Sequence, residues 1–251
     1  MAVRPGLNAK SLNCVDLTWD RRPTNVPSLW IPEVWAFGPP GARLTVKEPG
    51  GWREEGDGVC CVRQAVSFEQ WSFEWQGRVE AQDDTVTIEV TIRNTGQEPL
   101  PEPFHFSACF NFLTAPDFMN STGSRSYFLT RDGWQNMLPF RRPQSQRRGH
   151  DPYHVFLEGH EDPGDSEVVI GVRAVSPLCV RVNRTHDACV GYAWQRALRL
   201  DFNYNRLHCM HSTPAFGPLG AGATSTHRGM IMFLEGDKEL LLERFREQGM
   251  A

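Results

Sequence analysis

The run Phe104-His105-Phe106-Ser107-Ala108-Cys109-Phe110-Asn111-Phe112 sorts into two faces at the two-residue period of a β-strand. Phe104, Phe106, Ala108, Phe110 and Phe112 fall on one side, and His105, Ser107, Cys109 and Asn111 on the other. The first side is a core face. The second carries hydrogen-bonding and titratable groups where a merely wet surface would carry Lys, Glu and Thr, and it predicts the floor of a polar cleft. An equally regular alternation runs from Asp84 to Asn94, with Val86, Ile88, Val90 and Ile92 opposed to Thr87, Glu89, Thr91 and Arg93, and stops at the turn Asn94-Thr95-Gly96. Further strands are predicted over 43–48, 59–68, 71–81, 125–129, 167–175, 178–183, 198–204, 207–211 and 224–234. With little helical pattern between them, they predict an all-β fold, a large and mostly antiparallel β-sandwich, because parallel pairing needs long crossovers. Helical spacing enters at the end, where Asp237 is placed to cap 238–247 and Leu241, Leu242 and Phe245 share one face before Gly249. This short C-terminal helix is expected to lie on an outer face of the sandwich. Segments 18–41 and 140–152 follow neither period and read as long ordered loops, where binding residues gather. No repeat or boundary divides the chain, so 1–251 reads as one sandwich domain.

Charge narrows the partners. With 26 Lys+Arg against 30 Asp+Glu, nothing draws the whole molecule to nucleic acid or to an anionic membrane. Arg141, Arg142, Arg147 and Arg148, beside His150, make a local basic loop that reads as solvated, or as a contact for an anionic small ligand, rather than as a nucleic-acid surface. No apolar run has the length of a signal peptide or a membrane span, so a cytoplasmic protein, monomeric or homodimeric, is expected. The seven cysteines include no Cys-x-x-Cys pair and are expected to be reduced and buried. Trp30, Trp35, Trp52, Trp134 and Tyr153 fall in or beside predicted loops, and one or two of them are expected to stack on a sugar ring.

Of the eight histidines, His105 and His211 sit within strands between apolar neighbours and are the acid and base candidates near neutral pH. A carboxylate should complete them, with Asp117 placed first and Asp201 as the alternative. Ser107, Asn111, Trp30, Trp134, Arg125 and His154 are the substrate-binding candidates. Cys209 and His211 share a strand face, a pairing that can ligate zinc or join a nucleophile to a base. A metal needs three or four convergent donors, so His105, Cys109, Cys209 and His211 would have to meet across strands whose pairing the sequence does not state. Inert buried thiols, with no metal and no cofactor, are therefore expected.

The chain resembles the galactose mutarotase-like superfamily, the aldose 1-epimerases and related β-supersandwiches, in several short segments between residues 84 and 234. The strand 86–94 with its Asn94-Thr95-Gly96 turn and Pro99-Leu100-Pro101 is similar to that family's strand ending in an Asn-Thr turn. Cys109-Phe110-Asn111-Phe112 resembles the tail of its His-x-Tyr-Phe/Trp-Asn-Leu motif. Cys209-Met210-His211-Ser212, Pro218-Leu219-Gly220-Ala221-Gly222 and Met230-Ile231-Met232-Phe233 resemble its closing strand, turn and final strand. The resemblance implies a sugar in a concave sheet cleft, with catalysis by one acid and one base. It places Ser107 where the family has its acid His, with His105 two residues earlier on the same face, and His211 where the family has its base Glu. An imidazole is the stronger base by about two pKa units, roughly 3 kcal/mol, but lacks the carboxylate charge that would balance a protonated partner. The implied function is therefore carbohydrate binding with His-based acid/base chemistry, as an aldose 1-epimerase-like isomerase or another carbohydrate-active enzyme such as a hydrolase or lyase. The alternatives are a non-catalytic carbohydrate-binding or regulatory module, and a structural protein whose cleft is occluded.

Overall fold

The computed structural model describes residues 2–8, 14–38, 42–45, 51–56, 58–140, 153–162, 168–204 and 208–251. Two large sheets pack face to face. The front sheet runs in the order Val3–Leu7, Cys14–Trp19, Ser28–Phe37, Phe104–Asn111, Met210–Pro214, Ala197–Phe202, Tyr153–Phe156, Val168–Val169, with Arg43–Thr45 also paired to Ser28–Phe37. The back sheet runs Gly133–Asn136, Ser126–Thr130, Cys179–Val182, Ala188–Trp194, Thr224–Glu235, Thr85–Asn94, Trp71–Gln82, Val59–Phe68, Arg53–Glu54. Pairing is antiparallel except between Tyr153–Phe156 and Val168–Val169. This is the expected all-β sandwich.

The core lies between the sheets and is built from the faces that the alternation marks. Phe104, Phe106, Phe110 and Phe112 are fully buried. Phe106 meets Trp194 of the back sheet at 5.5 Å between ring centroids, and Phe110 meets Tyr192 at 5.8 Å. Trp35, Trp52 and Tyr153, expected at loops, are core side chains instead, at most 4% exposed. Trp35 stands in a cage of Phe73, Trp75, Phe104 and Phe106, with centroids 4.9 to 5.9 Å away.

The largest departure from expectation is segment 18–41, read as a loop but holding the ten-residue strand Ser28–Phe37. Its register against Phe104–Asn111 breaks between Trp30 and Val34, around Pro32, and that irregularity erases the period-two signal. Ala188–Trp194 was hidden for another reason: it is buried along its whole length and so does not alternate. Segment 167–175 forms only the two-residue strand Val168–Val169 in its described part, and the strand expected at 207–211 is shifted to Met210–Pro214. The basic segment 141–152 lies outside the described residues.

The C-terminal helix Lys238–Glu247 begins as expected, with the Asp237 carboxylate accepting from the Leu240 amide at 2.9 Å. Leu241, Leu242 and Phe245 cover the outer face of the back sheet over Leu178, Val180, Met232 and Leu234. Gly191 makes this contact possible, since a Cβ there would stand 2.6 Å from a Phe245 ring carbon. Among the described residues no helix is long and apolar enough to cross a membrane.

Thr224–Glu235 also carries a pH-sensitive contact. His227 is packed 4.0 Å from the Phe216 ring with Nε2 3.2 Å from Ser225 Oγ, and burial together with nearby Arg196 pushes its pKa down to about 4. An unfolded histidine titrates near 6.5. Between those values the unfolded chain binds a proton that the folded chain refuses, so stability falls as pH drops from 6.5 to about 4 and the contribution levels off below. Urea midpoints across that range should show a slope worth about 2 kcal/mol in the native chain that is absent in His227→Gln. Parallel pH profiles of the two would refute it.

Candidate functional site

The polar floor is assembled by register. Trp30 is opposite Cys109, Cys109 opposite His211, His211 opposite Asp201, and Asp201 opposite His154. Directly opposed residues of paired strands project to the same side, so these five side chains form one row across five neighbouring strands, on the face of the front sheet turned away from the core. At about 4.8 Å per strand the row spans roughly 19 Å.

Next to this row lies a cleft of about 130 Å³, whose lining includes Glu33, Arg43, His105, Ser107, His154, Arg199, Asp201, Asn203 and His211. Asp201 organises one end. Its carboxylate accepts from His154 Nδ1 at 2.6 Å and from Thr213 Oγ1 at 3.0 Å, and lies 3.1 Å from Arg199 Nε. Burial alone would raise the pKa of a carboxyl 5% exposed, but Arg199 and His154 outweigh it and hold Asp201 well below the usual carboxylate range. With Nδ1 tied to Asp201, His154 is fixed in orientation and turns Nε2 away from it. That nitrogen is buried without a hydrogen-bond partner among the described residues.

Glu33 organises the other end. It projects from the irregular stretch of Ser28–Phe37, accepts from Ser107 Oγ at 2.9 Å and lies 3.5 Å from His211 Nε2. His211 places Nδ1 3.4 Å from the Asp201 carbonyl oxygen. Burial opposes the charged imidazolium of His211, but Cys209 and Glu33 outweigh burial and raise its pKa. Contact with the Cys209 sulfur, together with burial, pushes the Cys109 thiol up. The donor atoms of Cys109, Cys209 and His211 lie within 4.8 Å of one another.

His105, Ser107, His154 and His211 thus line one cleft. His105 stands four residues from Cys109 along the same strand, roughly 13 Å from the level of His211, so the two histidines lie at different ends of the site. Asn111 is on the same face but outside the lining, with Oδ1 accepting from the Leu113 amide at 2.8 Å. Trp30 belongs to the row, half-buried, beyond Cys109 and outside the lining. Three residues lie elsewhere. Asp117 accepts from Asn25 Nδ2 at 2.9 Å and sits 3.6 Å from Arg184. Arg125 donates to the carbonyls of Asp117, Met119 and Val182. Trp134 packs with the cluster under the C-terminal helix, its ring 5.8 Å from Lys238 Nζ. Asp117 and Arg125 therefore tie loops together, and the carboxylates of the cleft are Glu33 and Asp201 instead.

Asp201 and Arg199 carry the same sequence signal as the Phe104–Asn111 strand, polar side chains alternating with Leu198, Leu200 and Phe202. Glu33 carries none, because its neighbours do not alternate. A larger groove, about 600 Å³, runs beside the C-terminal helix, where Arg21 pairs with Glu235 at 2.6 Å and lies 3.9 Å from Asp84.

No family model matches the chain, and no curated protein matches it in sequence. Solved structures do match in fold. The Slr1438 protein of Synechocystis sp. PCC 6803 superposes with a TM-score of 0.52 at 10% identity, covering 94% of this chain and 95% of that one. A galactose mutarotase-like protein from Clostridium acetobutylicum gives 0.51 at 9% identity, covering 93% and 98%. The fold is the galactose mutarotase-like β-sandwich. The same mutarotase-like fold superposes on an alpha-mannosidase from Enterococcus faecalis with a TM-score of 0.54 at 7% identity, covering 96% of this chain and 29% of that one. Likeness at this identity shows the fold alone, and function has to be argued from the cleft.

Proposed function

We propose that the front-sheet cleft binds a carbohydrate of about one sugar ring and that His154, oriented by Asp201, exchanges a proton with it through Nε2. The carrying observation is the pair itself: a buried carboxylate holds Nδ1 at 2.6 Å while the second nitrogen has no hydrogen-bond partner among the described residues and its imidazole lines the cleft. A carboxylate that fixes tautomer and ring orientation is what a general acid or base requires. Glu33, held by Ser107, supplies the opposing carboxylate. It reaches toward His211, which stands two strands from His154, roughly 10 Å, an opening suited to a ring bearing hydroxyls. The cleft is smaller than the roughly 300–1,000 Å³ of drug-sized sites, which favours a monosaccharide or its derivative over a longer chain. The mutarotase-like proteins that share the fold support the same substrate class.

A thermal-shift screen of neutral monosaccharides, uronates and sugar phosphates tests the binding. At least one should raise the melting temperature, because a ligand that binds only the folded state stabilises it by mass action. Proton NMR on a freshly dissolved α-anomer of that sugar then distinguishes anomer interconversion from another reaction or from binding alone. A screen without any response would refute the proposal.

A further inference from the structure

Beneath the cleft floor lie three soft donors that this proton transfer does not use, of which His211 lines the cleft and Cys109 and Cys209 are buried beside it. Cys109 and Cys209 are at most 1% exposed and His211 is 4% exposed. They come from two adjacent strands: Cys109 lies opposite His211, with Cys209 two residues from His211. Their ligating atoms lie within 4.8 Å of one another, and no other such group of three occurs among the described residues. Bonds of about 2.3 Å to sulfur and about 2.0–2.1 Å to nitrogen would set tetrahedral zinc donors roughly 3.5–3.8 Å apart, so the cluster needs only side-chain adjustment to close on a metal.

The surroundings match that use. His211 Nδ1 faces the Asp201 carbonyl at 3.4 Å, which leaves Nε2, buried and 3.5 Å from Glu33, as the ligating nitrogen. Metal-bound histidines commonly direct their other nitrogen at a carbonyl or carboxylate in this way. Asn203 Nδ2 donates to Cys209 Sγ at 3.4 Å, a contact that suits a thiolate better than a thiol.

We propose that Cys109, Cys209 and His211 form a zinc-binding site in the floor of the cleft, with a fourth position facing Glu33. Two thiolates and an imidazole are a donor set that zinc accepts, and three protein donors with one open position is the arrangement of zinc sites that meet a ligand. On binding, both S–H bonds break and two Zn–S bonds form. The thiol protons, and that of His211 where it carries one, pass to buffer. The site shares Glu33 and His211 with the sugar cleft but does not rest on the proton transfer proposed there, since neither the His154 nor the Asp201 side chain is a donor.

Reduced, chelator-treated protein titrated with Co2+ provides the test. One Co2+ should bind per chain with a thiolate-to-cobalt charge-transfer band and the visible bands of a tetrahedral site, and Zn2+ should displace it. The double variant Cys109→Ser/Cys209→Ser should lose the thiolate band and bind at least tenfold more weakly. Cys61→Ser, on the back sheet, should keep both. X-ray absorption of the zinc-loaded native chain reads the ligands without any variant, and two sulfurs with at least one nitrogen are expected. Absence of a thiolate band in the native chain, its persistence in the double variant, or fewer than two sulfurs at the metal would overturn the proposal.

Discussion

Asp201→Asn should lower the unfolding free energy by about 3–5 kcal/mol, measured by urea denaturation at neutral pH. Asparagine keeps the shape of the side chain and removes its charge. Arg199, 6% exposed and 3.1 Å from that carboxylate, would then lose the charge that faces it, and removing one member of a buried pair is the expensive way to break it. The same change converts the acceptor of His154 Nδ1 into a neutral amide and frees the imidazole to choose either tautomer. Loss of stability and loss of ligand binding should therefore appear together. A variant within 1 kcal/mol of the native chain would mean that Arg199 is balanced by something other than Asp201.

Trp35→Ala should remove a further 3–5 kcal/mol, by a different mechanism. The indole is fully buried and touches aromatic rings from both sheets, so truncation leaves a cavity that stiff neighbours cannot fill. Its effect should also reach the cleft, because Trp35 anchors to the core the strand that presents Glu33 on the opposite side. Trp35→Phe keeps most of the ring contact and should lose markedly less. Equal losses for the two variants would show that the indole is not the anchor.

What could be read from the chain follows from where burial is one-sided. Thr85–Asn94 buries one face, so period-two alternation marks both strand and orientation; Phe104–Asn111 is buried on much of both faces, but its residue types still alternate, and the polar floor is legible as His105 and Ser107 set between phenylalanines. The C-terminal helix is legible for the same reason at the helical period. Ala188–Trp194 is not, because helix and core cover both its faces. Ser28–Phe37 is not, because its register breaks midway, and Glu33 vanishes with it. Asp117, Arg125 and Trp134 stand on segments whose course only tertiary contacts determine, and none of them lines the cleft. Cys109 and Cys209 illustrate a third limit: each looks like a small buried hydrophobe on its own strand, and only the pairing of those strands brings both to His211.

If the His154–Asp201 pair faces a bound sugar, removing Nε2 should weaken the binding of that sugar. Asparagine at 154 can still donate to Asp201 from its amide while removing Nε2, so His154→Asn tests the nitrogen with little disturbance of the carboxylate beside it. Calorimetric titration of the best sugar from the screen should give one site per chain in the native protein and at least tenfold weaker binding in His154→Asn, about 1.4 kcal/mol or more. Equal affinity in a folded His154→Asn chain would contradict the account.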